Sequence, residues 1–130
     1  MIIKQLSVFV ENKEGRMLEI TQVLKNHGIN IRTLSLADTS EYGMLRLILS
    51  DEDCDRAKSV LKEAGFPARL TDVIAVQSTD RVGFLHDLLE ALGSISIEYM
   101  YTLPTGKDPI IILKVANPAE VEELLRAKSF

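Results

Sequence analysis

A chain of 130 residues, 46% apolar and carrying a formal charge of −4, has room for one ordinary domain or two small ones and buries roughly two thirds of its unfolded surface without covalent staples. Its single cysteine, Cys54, excludes an internal disulfide framework, and with only His27 and His86 beside it there is no recognisable metal-ligand spacing, so neither a metal nor a cofactor is expected. Lysines and arginines scattered among the acids form no basic stripe for nucleic acid, and the apolar runs fall far short of the about 20 residues of a membrane span, so a cytoplasmic protein without nucleic-acid or membrane partners is expected.

The alternation of Leu6, Val8 and Val10 with Gln5, Ser7 and Phe9 predicts a strand with one buried face. Asn12-Lys13-Glu14-Gly15 follows, placing a helix-capping residue type three positions before a glycine. A helix is expected next, with Met17, Ile20, Val23, Leu24 and His27 on its inner stripe, Glu19, Gln22, Lys25 and Asn26 on its outer one, and Gly28 as its stop. Ile29-Asn30-Ile31 opens a second strand, Tyr42-Gly43 is turn chemistry, and Leu45, Leu47 and Leu49 face inward from a third strand. Ser50 or Asp51 is expected to cap a helix carrying Cys54, Ala57, Leu61 and Ala64 inward, which makes Cys54 a packing residue. The acids Asp51, Glu52, Asp53 and Asp55 fall on its first turns, where negative charge is favourable. A fourth strand is expected near Ala68-Arg69-Leu70.

The same order then begins again. Ile74, Val76 and Ser78 repeat the first alternation 68 positions on, with no linker after Leu70. Asp80-Arg81-Val82-Gly83 matches the first loop, and a helix with Leu85, Leu88, Leu89 and Leu92 on one stripe runs to Gly93-Ser94. Ile95-Ser96-Ile97 and the strand of Ile111, Leu113 and Val115 recur at an offset of 66. Thr105-Gly106-Lys107-Asp108-Pro109 supplies the turn between, and Asn117-Pro118 opens a last helix with Val121, Leu124 and Leu125 inward. The fold class is therefore α+β: two ferredoxin-like βαββαβ modules in tandem, residues 1–71 and 72–130, the second lacking its last strand. Phe130 matches Phe66, and the unfinished sheet edge near it calls for a cover or a pairing partner.

The combination of Asn12-Lys13-Glu14-Gly15 with Gly28-Ile29-Asn30-Ile31 resembles the ACT domain, the amino-acid-binding regulatory module of phosphoglycerate dehydrogenase and aspartokinase. The second copy, with Ile97-Glu98-Tyr99-Met100-Tyr101, is similar to small stand-alone tandem ACT proteins. The resemblance covers nearly the whole chain. It implies that Asn12 and Asn30 sit where serine-responsive modules hold their effector and that Gly15 lets the backbone approach the ligand. The chain also departs from those serine sites: Val10 stands where they carry histidine, Glu14 and Val82 where proline precedes the glycine, and Ser96 at the counterpart of Asn30.

A loop ending at a helix N-terminus presents backbone N–H groups and the positive end of the helix dipole, which suit a carboxylate. Asn12, Asn30 and Asp80 offer oxygens for an ammonium group. Gly15, Arg16, Gly83 and Phe84 flank the two helix starts, His86 follows Gly83 by three residues, and Tyr99 shares a strand face with Tyr101. Competing roles stand beside each: Asn12 and Asp80 as caps, Gly15 and Gly83 as turn residues, Tyr99 in packing, His86 on the surface. The chain has no nucleophile in a recognisable setting and no phosphate loop, so no catalytic residue is expected. The expectation is a non-catalytic regulatory protein, a homodimer, that binds a small-molecule effector of the amino-acid class between modules. The alternative is an interaction module without a ligand of its own. It would dock onto and regulate a metabolic enzyme through the edge near Phe130 or the sheet face carrying Phe9, Met44 and Ile48.

Overall fold

The computed structural model describes residues 1–11, 13–38 and 42–130, which leaves Asn12 and the segment 39–41 outside the described residues. The elements are β1 (Ile2–Glu11), α1 (Arg16–Asn26), β2 (Thr33–Asp38), β3 (Tyr42–Ile48), α2 (Asp51–Glu63), β4 (Ala68–Gln77), α3 (Phe84–Leu92), β5 (Tyr99–Leu103), β6 (Ile110–Lys114) and α4 (Pro118–Ala127). They divide into two compact units, Lys4–Thr71 and Met1–Ile3 together with Asp72–Phe130. The architecture is the tandem ferredoxin-like plan, with βαββα written twice.

In the unit Lys4–Thr71 the strands lie in the order β2-β3-β1-β4. The antiparallel register sets Leu6 opposite Leu47 and Val8 opposite Leu45, and sets Leu34 and Leu36 opposite the same two leucines from the other side. Alternation along a strand then puts Leu6, Val8, Val10, Leu45 and Leu47 on one face. There they meet Ile20 and Leu24 of α1 and Cys54, Ala57 and Leu61 of α2, all buried. Phe9 and Met44, paired with each other, occupy the opposite face.

In the second unit β4 pairs with β6 and β6 with β5, both antiparallel. Ile74, Val76, Ile111, Leu113 and Val115 face Leu88, Leu92, Val121 and Leu125 in a separate core. No strand follows α4, yet the sheet edge expected to be unfinished is filled. The Ala75 N–H donates to the Met1 carbonyl at 2.6 Å, and Met1 and Ile2 pack against this core. The Ile2 N–H donates to Glu122 Oε2 at 2.9 Å. The start of β1 thus holds the position a fourth strand would take. Phe130 is no open edge either: its ring meets Phe84 edge-on at 5.9 Å, and its N–H donates to the Leu125 carbonyl as that of Phe66 does to Leu61.

Several local expectations are corrected. Tyr42 and Gly43 belong to β3 and not to a turn, and Ile29–Ile31 and Ile95–Ile97 precede β2 and β5 instead of opening them. Leu85 and Leu89 are 45% and 37% exposed, because the short helix α3 turns only Leu88 and Leu92 fully onto the sheet. His27 and Ala64 end their helices exposed. The residues at the N-cap positions of α1 and α3 are Gly15 and Gly83, with φ of 84° and 87°, so Asp80 does not occupy the cap position of α3. A left-handed φ of that size is one that glycine adopts without a Cβ clash. The two loops are therefore the same turn built twice.

Candidate ligand site

The first loop lies at the end of β1, where Glu11 leaves the sheet and the chain turns through Lys13 and Gly15 into α1. The Glu19 N–H closes the first helical turn onto the Gly15 carbonyl at 3.0 Å. The opening N–H groups of a helix have no acceptor within it, so this end carries positive potential. In front of it is a concavity of about 280 Å³. Its lining is apolar at Val10, Met17, Leu18, Leu36 and Gly43 and charged at Glu11, Lys13 and Arg16.

The charged side chains are paired. Lys13 Nζ lies 3.0 Å from Glu11 Oε2, and Arg16 Nη1 lies 3.0 Å from Glu19 Oε2. The hydrogen bond and charge of Lys13, aided by the charge of Arg16, hold the Glu11 carboxyl below the usual carboxylate range. Glu11 therefore keeps its negative charge beside two cations, an arrangement with receptors for both ends of a zwitterion. A second concavity of about 290 Å³, lined by Phe9, Glu19 and Phe66 among others, shares Glu11 and Arg16 with the first.

Of the residues singled out in the sequence, Gly15 and Arg16 meet in the first cavity. Asn12 lies outside the described residues. Asn30 is exposed in a shallow depression of about 410 Å³ with Thr21, Lys25 and Gly28, and does not line the Gly15 cavity. In the second loop the Asp80 N–H donates to Asp108 Oδ1 at 3.2 Å. Arg81 places its guanidinium 5.4 Å from the Phe84 ring centre and pairs with Asp87 at 2.8 Å. Arg81 is thus held beside the first turn of α3, and Phe84 packs against the core. His86 stands in solvent 3.3 Å from Glu90. Tyr99 stacks on Tyr101 at 6.4 Å and is paired in register with Lys114, on the sheet face opposite the core residue Leu113. Neither residue joins Gly83.

The cavity residues not anticipated are Glu11, Lys13, Leu36 and Gly43. Glu11 and Lys13 flank Asn12 and were accessible to a reading of the loop. Leu36 and Gly43 come from β2 and β3, and only the register Val10–Gly43 and Asp38–Gly43 brings them beneath the loop. On the outer sheet face a third concavity of about 310 Å³ is lined by Ser7, Phe9, Met44, Pro67, Ala68 and Arg69. Ile48 is only 2% exposed and offers no docking surface. Among the described residues no group of three or more His, Cys, Asp or Glu side chains is placed to hold a metal ion, and no helix is long and apolar enough to cross a membrane.

Two ferredoxin-like units, each with a glycine at the strand-to-helix turn, define a tandem small-domain protein of the kind the sequence motifs resemble. The sequence matches the ACT domain pair family over residues 1–130, and the chain belongs to that family. A solved protein from Bacteroides thetaiotaomicron is 35% identical, with a TM-score of 0.89 over 99% of this chain and 90% of its own. The ligand-free regulatory subunit of aspartate kinase from Thermus thermophilus shares the fold at 16% identity, with a TM-score of 0.67 over 98% of this chain and 92% of its own. The corresponding subunit from Thermus flavus does so at 19% identity and a TM-score of 0.64, over 98% and 92% of the two chains. No curated protein matches the sequence.

Proposed function

We propose that this protein is a non-catalytic regulatory module that binds a free amino acid at the Gly15 loop. The observation that carries this reading is the cavity itself. Side chains of both charges, Glu11, Lys13 and Arg16, and apolar residues together line a volume of about 280 Å³ at the N-terminus of α1. That size is near the lower end of small-molecule pockets, which run from about 300 to 1,000 Å³. The first copy is the working site of this reading, since the Gly15 cavity gathers Glu11, Lys13 and Arg16, whereas at the start of α3 Arg81 is held over Phe84 and paired with Asp87. Self-association follows from the same reading: Asn30 is exposed and remote from the cavity of its own chain, and a homodimer would let it complete the site of a second copy. The output is control of a metabolic enzyme, in keeping with the aspartate kinase regulatory subunits that share the fold.

The test is a thermal-shift panel of the proteinogenic amino acids, followed by sedimentation. One or more amino acids should stabilise the fold, by about 2.7 kcal/mol at 100 times the dissociation constant. No stabilising amino acid, or a monomer at high micromolar concentration with and without effector, would overturn it. A second reading, docking without a ligand, draws on the half-exposed Phe9, whose ring lies tilted against that of Tyr42 at 4.8 Å and which lines the outer-face concavity. It is favoured if the panel is silent while Phe9→Ser abolishes association.

A further inference from the structure

We infer that the effector is an aliphatic amino acid of about the size of valine or leucine, and that Gly43, with Leu36, sets the length of the side chain admitted. The inference rests on reading the Gly15 cavity as the effector site and concerns what its lining selects. The charged groups of the cavity are Glu11, Lys13 and Arg16, and the rest of its side-chain lining, Val10, Met17, Leu18 and Leu36, is hydrocarbon, with Val10 and Gly43 buried. A zwitterion that places its carboxylate toward Arg16 and its ammonium toward Glu11 turns its side chain onto hydrocarbon. Burying a charged or hydroxylated side chain there leaves its polar group without a partner, which is unfavourable.

Gly43 is buried in β3, between Val10 of β1 and Asp38 of β2 in the ladder. A Cβ at this position would meet Leu36 Cδ1 at 3.2 Å, while its next neighbours, the Ala37 and Val10 carbonyl oxygens, are at ordinary contact distances of 3.6 and 3.7 Å. Its φ is not in the left-handed range, so the backbone does not demand glycine here. The absent Cβ lets the tip of Leu36 lie against the Gly43 backbone. An added methyl group displaces the tip of Leu36, a side chain 47% exposed that also lines the cavity, and so alters the space these two residues leave for a ligand. In an apolar pocket one methylene changes discrimination by about 10- to 200-fold.

The experiment is calorimetry on the full chain with L-alanine, L-valine, L-leucine, L-isoleucine, L-serine, L-threonine, L-lysine and L-aspartate, comparing wild type with Gly43→Ala, Leu36→Ala and Arg16→Gln. Wild type should prefer the aliphatic ligands, with valine favoured over threonine by about a hundredfold at most. Gly43→Ala should weaken leucine and isoleucine about tenfold or more while leaving alanine near its wild-type value. Leu36→Ala should shift the preference toward longer side chains. Unchanged melting of the ligand-free variants shows that the fold is intact. A best ligand that is lysine, aspartate or serine, bound in an Arg16-dependent way, overturns the aliphatic assignment and leaves the site reading standing. Aliphatic binding indifferent to Gly43→Ala overturns the role of Gly43. Silence across the whole panel overturns the site reading and this inference with it.

Discussion

Arg16 is the side chain on which the proposed site can be tested most directly, because its structural and binding roles differ in size. It is the first residue of α1, one third exposed, and its structural partner is Glu19, at 3.0 Å and half exposed. Such an exposed pair one helical turn apart contributes about 0.2–0.5 kcal/mol. A cation at a helix N-terminus also opposes the helix dipole, which cancels part of even that. Arg16→Gln should therefore leave unfolding in urea unchanged to within about 0.5 kcal/mol. If Arg16 receives the effector carboxylate, the same change removes a charge-assisted hydrogen bond worth about 1.5–3 kcal/mol. That corresponds to a loss of affinity of roughly tenfold to 150-fold. Calorimetry with the amino acid found in the stabilisation panel reads this directly. Glu19→Gln, which releases Arg16 from its partner, should tighten binding modestly or leave it unchanged. An Arg16→Gln protein that binds with wild-type affinity would refute the assignment of the carboxylate to this cavity.

Core and surface leucines should separate cleanly: Leu61→Ala, at a fully buried position, is expected to cost about 2–5 kcal/mol in urea unfolding, whereas Leu89→Ala on the exposed side of α3 should cost less than about 1 kcal/mol. Burial, helped by the charges of Asp51, Asp55 and Asp53, pushes the Cys54 thiol above its ordinary range. Native protein should react with iodoacetamide far more slowly than unfolded protein. Because the folded state holds the neutral thiol, the contribution of Cys54 is fully present below the unfolded thiol pKa and is lost as pH rises through the folded one. Labelling of the native protein at the rate of a free thiol would contradict this. Deleting residues 1–3 removes the acceptor of the Ala75 N–H and the partner of Glu122. Hydrogen exchange at Ala75 should accelerate and the second unit should melt earlier; unchanged protection would show that another group covers that edge.

The duplicated plan was legible in the chain because it rests on local signals. Period-two alternation at Leu6, Val8 and Val10 and at Ile74 and Val76 names the inner faces of two strands, and the glycines at 15 and 83 mark matched helix starts. Those signals need only neighbours in sequence to be read. They failed where a short amphipathic helix carries more leucine than its sheet can cover, as at Leu85 and Leu89, and where a glycine that resembled a turn proved to be a strand residue, as at Gly43.

The amino-acid sequence by itself thus determined the α+β class, the tandem repeat, the inward residues of the strands and the loop to which Gly15 and Arg16 belong. Tertiary structure decided what stands next to that loop. Strand register brings Leu36 and Gly43 under α1, and no periodicity records a partner some thirty residues away. It also set Asn30 apart from the Gly15 cavity, turned His86 of the first turn of α3 out toward Glu90, and stacked Tyr99 on Tyr101, since residues that share a motif in sequence are sent to different faces by the turn of a helix and the alternation of a strand. Finally, it completed the second sheet with the first residues of the chain. The backbone groups of an exposed edge accept any strand of suitable geometry, so the pairing of Met1 with Ala75 is set by position in space and not by any motif.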